Sequence, residues 1–225
     1  MRMIRKKANS MAGAKDGLRE CVEQPFGKKN YKRMRELLRQ RLGEHRFEHS
    51  LGVAKTARRM AKVYGLDPDK ARMAGLLHDW DKRGDACWVQ DRARSFGLDL
   101  HPQIIDDMPW LLHGYTAAAA LGRDFPELGS EVLTAIARHT TGAADMSDLD
   151  CVIYVADLIE PGRDYGKDSG IDSLRALVGE VSLQELYYQA FKQTLGYLID
   201  RDKPLFPGTA ELYNELARQH TEAGR

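Results

Sequence analysis

The stretch Leu149–Ile159 limits what this chain can fold into more than any other. Its core, Val152-Ile-Tyr-Val-Ala-Asp-Leu-Ile159, is apolar except for one carboxylate, Asp157. A short apolar run reads equally as buried strand or buried helix by periodicity. Length decides for helix here, because Ala156, Asp157 and Leu158 continue the run until Pro161-Gly162 stops it. An ionised carboxylate in such a helix needs a metal, an arginine or hydrogen bonds. Arg163 is the nearest basic residue that could also reach an anionic ligand.

Helical spacing recurs along the chain. Met34, Leu37, Leu38 and Leu42 predict a helix over Tyr31–Leu42, and a second runs from Glu44 to Tyr64. Asp67-Pro68 caps and opens a third, expected to reach about Lys82. Further helices are predicted over Ala86–Phe96, His113–Leu121, Gly129–Arg138, Ile171–Val178, Leu183–Ile199 and Thr209–His220, with an irregular stretch at 98–112. A short helix near Leu18–Val22 is also expected. The chain reads as all-α: a basic N-terminal extension over 1–29, one helical domain over 30–217 and a C-terminal tail over 218–225.

No segment approaches the roughly 18 apolar residues of a membrane span. The N-terminus lacks the apolar core of a secretory signal, so a cytoplasmic protein with no membrane partner is expected. Cys21, Cys87 and Cys151 are odd in number and far apart, which argues against a disulfide framework or a zinc ribbon. Residues 1–46 carry 14 Lys/Arg against 5 Asp/Glu, although the whole chain is only +1. No interleaved aromatics accompany this charge, so it reads as a solvated leader rather than a nucleic-acid surface.

The chemistry-bearing residues are His49, the pair His78-Asp79, His113, His139 and Asp157. Each has a plain structural explanation when taken singly. A histidine such as His49 on a semi-apolar face is commonly a hydrogen-bonded core residue. His139 at a helix C-terminus is favoured by the dipole. Asp79 could pair with Lys82, which could instead face a phosphate. Together they suggest a site built from several helices, with His78 on one ion and Asp79 bridging two. Iron or manganese accepts such a mixed imidazole and carboxylate set. Two neighbouring ions can activate water and hold phosphoryl oxygens.

This ordered set resembles that of HD-domain metal-dependent phosphohydrolases. Five segments are similar to the YqeK branch of that superfamily: Glu44-His-Arg-Phe-Glu-His-Ser-Leu-Gly-Val-Ala54, Leu76-Leu-His-Asp-Trp-Asp-Lys82, His113-Gly-Tyr-Thr-Ala117, Ile136-Ala-Arg-His-Thr-Thr-Gly142 and Val152–Arg163. Pro204-Leu-Phe-Pro-Gly-Thr209 looks like its C-terminal signature, so the likeness spans residues 31–217. The resemblance implies an HD-domain helical bundle with a di-iron centre that splits diadenosine tetraphosphate symmetrically into two ADP. It implies metal ligation by His49, His78, Asp79, His113, His139 and Asp157. Lys82, Thr140, Gly142 and Arg163 become phosphate contacts, with Asp79, Lys82 and Arg163 in the catalytic machinery. Trp80-Asp81 departs from the aromatic-Ala pair expected before the lysine. Asp81 thereby adds a negative charge near the anion site, where it reads as an exposed surface residue rather than a proton donor.

The metal set alone also admits another nucleotide substrate: a nucleoside monophosphate, a deoxynucleoside triphosphate or a cyclic dinucleotide. A non-catalytic, metal-bound nucleotide sensor is the reading from a different class. A homodimer is compatible with all of these.

Overall fold

The computed structural model describes residues 23–163 and 170–223. Every regular element among them is helical: α1 (Lys28–Arg39), α2 (Glu44–Val63), α3 (Pro68–Leu77), α4 (Ala86–Ser95), α5 (Pro102–Asp107), α6 (Leu112–Asp124), α7 (Gly129–Arg138), α8 (Asp148–Ile159), α9 (Ile171–Leu177), α10 (Leu183–Asp200) and α11 (Thr209–Ala223). Single 3-10 turns occupy Pro109–Leu111 and Pro126–Leu128. The helix expected near Leu18–Val22 lies outside the described residues. α1 crosses the domain boundary expected at residues 29 and 30, and α11 crosses the one at 217 and 218.

The apolar helix α8 sits at the centre, packed against α2, α3, α7, α9 and α10. A helix apolar around its circumference needs neighbours on every side, and here it has them. Its start is set by a capping box: Ser147 Oγ accepts from the Asp150 amide at 3.2 Å, and Asp150 accepts from the Ser147 amide at 3.1 Å. Its end follows from Pro161, two residues beyond Ile159.

α2 and α3 pack through small side chains. Ala54, Ala57, Ala61, Ala71 and Ala74 are all fully buried, and a Cβ on Gly75 would lie 3.1 Å from Ala54 Cα. Asp67 starts α3 by accepting from the Asp69 and Lys70 amides at 2.9 and 3.0 Å.

α3 ends at Leu77, not near Lys82 as the spacing predicted. The chain curls instead into tight turns, with Trp80 N to Leu77 O at 3.0 Å and Lys82 N to Asp79 O at 2.9 Å. This departure matters for the site. The two turns let His78 and Asp79 share one centre while Trp80 and Asp81 face elsewhere.

The stretch expected to be irregular, 98–112, contains α5, a 3-10 turn and the first residue of α6. Pro102 and Pro109 open these elements rather than break them, since the first turn has no use for the missing N–H. Val89, Ala93, Ile104 and Leu112 form a small apolar cluster under this region.

Candidate metal centre

Five separate elements deliver the site. His49 comes from α2, His78-Asp79 from the turn after α3, His113 from the first turn of α6, His139 from the end of α7 and Asp157 from the last turn of α8. Three groups, His49–His78–Asp79, His78–His139–Asp157 and Asp79–His113–His139, each bring their ligand atoms within 4.8 Å of one another. All six carboxylates and imidazoles named from the sequence are therefore brought together. His78, Asp79 and His139 each belong to two of these groups, and of the three only Asp79 has two oxygens to share between neighbouring ions.

The backbone orients the rings. His78 Nδ1 lies 2.8 Å from Gly75 O, His113 Nδ1 2.8 Å from Trp110 O and His139 Nδ1 2.7 Å from Ile136 O. A carbonyl only accepts, so each Nδ1 donates and each neutral ring presents an unprotonated Nε2 to the centre. His113 and His139 then face each other Nε2 to Nε2 at 3.0 Å. Two lone pairs at that separation repel unless a cation lies among them. His78 Nε2 and both oxygens of Asp79 are buried without a hydrogen bond. Asp79 Oδ1 lies 3.1 Å from His113 Nε2, 3.5 Å from His78 Nε2 and 3.6 Å from His139 Nε2. Orphaned buried acceptors converging in this way fit divalent metal ions. The donor set holds nitrogen and oxygen only, which suits divalent metal ions.

The close approach of α6 to α7 depends on Gly114. A Cβ there would lie 2.9 Å from Ile136 O and 3.1 Å from His139 Nδ1.

Electrostatics agree with a cation site. Burial opposes charge on Asp79, yet His78 and Lys82 outweigh it and hold the carboxyl well below its usual range. Asp157 behaves likewise, burial being overcome by Arg163, His49 and His78. Burial, reinforced by Lys82, pushes His113 down to about 4, and burial lowers His139, so both stay neutral as ligands must. Burial also works against charge on His78, but Asp79 and Asp157 reverse the balance and raise it. A proton on His78 Nε2 and a metal ion satisfy the same oxygens.

Glu160 is the residue that the sequence reading missed. It is buried, its Oε1 lies 3.0 Å from His49 Nδ1 and its Oε2 accepts from the Gly162 amide at 2.6 Å. His49 Nε2 then faces Asp157 Oδ1 at 2.9 Å. The signal was a second acid directly after the apolar helix, masked by the Pro161-Gly162 turn.

Of the residues expected to contact phosphate, Lys82 lies 3.5 Å from Asp79 Oδ1 and lines all three cavities around the centre. Arg163 Nη2 bonds Asp157 and lies 3.3 Å from His49 Nε2, lining two of those cavities. Thr140 Oγ1 is buried without a partner and its residue lines the cavity of about 310 Å³ beside His139. Gly142 lines none of the three. It adopts φ +69°, and the Tyr187 hydroxyl occupies the place of a side chain.

Asp81 is not an exposed surface residue. It is 1% exposed and held by Arg41 at 2.9 Å and by Arg92 Nε. Arg41 also lies 4.3 Å over the buried Trp80 ring. Two guanidinium groups balance the extra acid, so its charge is not left facing the phosphate site.

A helical bundle enclosing a histidine and carboxylate centre defines a class, and the HD domain model matches residues 46–162 of this chain. The chain is 33% identical over 186 residues to the symmetrical bis(5'-nucleosyl)-tetraphosphatase of Staphylococcus aureus, covering 82% of this chain and 93% of the relative. It is 36% identical over 180 residues to the protein of the same name from Bacillus subtilis, covering 80% and 93%. A solved structure, described as a predicted HD superfamily hydrolase involved in NAD metabolism from Clostridium acetobutylicum, superposes with a TM-score of 0.75 at 36% identity. It covers 84% of this chain and 97% of that one. The chain belongs to the YqeK family of HD-domain symmetrical bis(5'-nucleosyl)-tetraphosphatases.

Proposed function

We propose that this protein hydrolyses diadenosine tetraphosphate symmetrically, adding one water across the central phosphoanhydride and releasing two ADP. The carrying observation is that all six ligand side chains converge in a chain similar to named tetraphosphatases over four fifths of its length. His49, His78, Asp79, His113, His139 and Asp157 would hold two divalent ions, iron being expected and manganese the alternative. Such ions would supply Lewis acidity toward the phosphoryl oxygens and lower the pKa of a nucleophilic water.

The chain's own groups do the rest. Lys82 and Arg163, placed at the carboxylate edge of the centre, orient the phosphates and balance charge that grows on the phosphoryl oxygens during attack. Thr140 offers a hydroxyl to the same phosphates. The backbone carbonyls behind His78, His113 and His139 keep the rings turned inward. Glu160 holds His49. Asp81, locked between Arg41 and Arg92, is not the proton donor.

A cytoplasmic setting fits thiols that stay unpaired: Cys87 and Cys151 are both free, and no helix among the described residues is long and apolar enough to cross a membrane. Product analysis of the metal-loaded protein with diadenosine tetraphosphate tests the activity. ADP as sole product supports it; ATP plus AMP, or no cleavage, overturns it.

A further inference from the structure

A substrate cut at its middle must extend a nucleoside from the metal centre in each direction. Three cavities meet at Lys82. One, of about 640 Å³, is lined by the ligand His113, by Lys82, Arg46 and Arg83, and by Trp110. Its volume lies within the range of about 300–1,000 Å³ usual for small-molecule sites.

Trp110 stands apart from the other tryptophans. Trp80 is buried against Phe125 under Arg41, and Trp88 is half-buried with Arg83 and Arg92 against its ring. Trp110 is 55% exposed, and no aromatic ring or cation packs on it among the described residues. It is nonetheless held in place. It lies in the Pro109–Leu111 3-10 turn, and its carbonyl accepts from His113 Nδ1 at 2.8 Å. The backbone that carries the indole is thus anchored to His113, and the residue lines the same cavity as three cations. The acids on that wall are engaged elsewhere: Asp81 with Arg41 and Arg92, Asp85 on the Trp88 amide, Glu44 with Arg39.

Building on the proposed tetraphosphatase activity, we infer that Trp110 is the stacking platform for one nucleobase of the dinucleotide, with Lys82, Arg46 and Arg83 holding the phosphates between it and the metal centre. Flat aromatic surface and phosphate-binding cations side by side are what a nucleotide requires. Stacking tolerates any base, since every base has a π face.

The test compares wild type, W110A and W110F as full-length, metal-loaded proteins. Wild type must first release only ADP from diadenosine tetraphosphate; failure there removes the activity, not the platform, and ADP binding by calorimetry still probes the platform alone. W110A is expected to raise KM and weaken ADP binding roughly tenfold, with kcat little changed and W110F recovering most of the loss. Diguanosine tetraphosphate should show a similar factor. Unchanged KM and ADP affinity in W110A would overturn the inference, as would a fall in kcat that tracks a lowered melting temperature. A change confined to oligomeric state would assign the indole to a protein contact and overturn it equally.

Discussion

Glu160 and His49 are bound 111 residues apart in sequence, Oε1 to Nδ1 at 3.0 Å, and the bond leaves His49 Nε2 aimed at Asp157. A carboxylate behind a ligand histidine fixes its tautomer and raises its basicity, and losing it typically costs metal affinity about 10–100-fold. Glu160→Gln keeps the acceptor for the Gly162 amide but not the charge. It should weaken metal binding by about that factor while the fold survives. Metal titration followed by circular dichroism checks both, and unaltered metal affinity would sink the assignment.

Asp157→Ala removes a proposed ligand together with its ion pair to Arg163. The purified variant should contain markedly less metal than wild type, read by elemental analysis. Metal content equal to wild type would remove Asp157 from the ligand set.

Metal removal should destabilise the protein. A ligand that binds only the folded state at a hundred times its Kd contributes about 2.7 kcal/mol, and chelation also leaves Asp79 buried without a hydrogen bond. At this chain length each kcal/mol shifts Tm by roughly 2–4 °C. Scanning calorimetry with chelator and then with manganese should show a fall and a recovery of several degrees.

Gly114→Ala should be costly although it adds one methyl. Its Cβ would press on Ile136 O, which is backbone and also accepts from His139. Overpacking of this kind costs typically about 1–3 kcal/mol, and α6 cannot retreat without separating His113 from His139. Urea unfolding gives the first effect and metal affinity the second.

Asp81→Asn separates a structural role from a catalytic one. It leaves Arg41 and Arg92 facing each other with no anion between them. Loss of stability by about 1–3 kcal/mol is expected, with kcat on diadenosine tetraphosphate near wild type. A large fall in kcat at full metal occupancy would return Asp81 to the reaction.

The candidate ligand set was legible through its ordered resemblance and, for Asp157, through a break in an apolar pattern. Elements with strong periodicity were legible as well, Gly129–Arg138 among them. Residues 98–112 were not, because Pro102 and Pro109 read as breakers when they are helix openers. Asp81 was misread as exposed because its partners, Arg41 and Arg92, are 40 and 11 residues away and no local pattern reveals such pairing. The end of α3 was misplaced because Trp80–Lys82 continue a helical composition while the backbone turns.

Three of the four histidines of the candidate centre lean on carbonyl oxygens three residues upstream, at Gly75, Trp110 and Ile136. No side-chain replacement can delete a carbonyl. Drift at positions 110 and 136 can therefore change packing or specificity without removing these acceptors, whereas at Gly75 an added Cβ would meet the Ala54 backbone. His49, hung on the side chain of Glu160, is the one of the four whose Nδ1 partner a single codon change can delete.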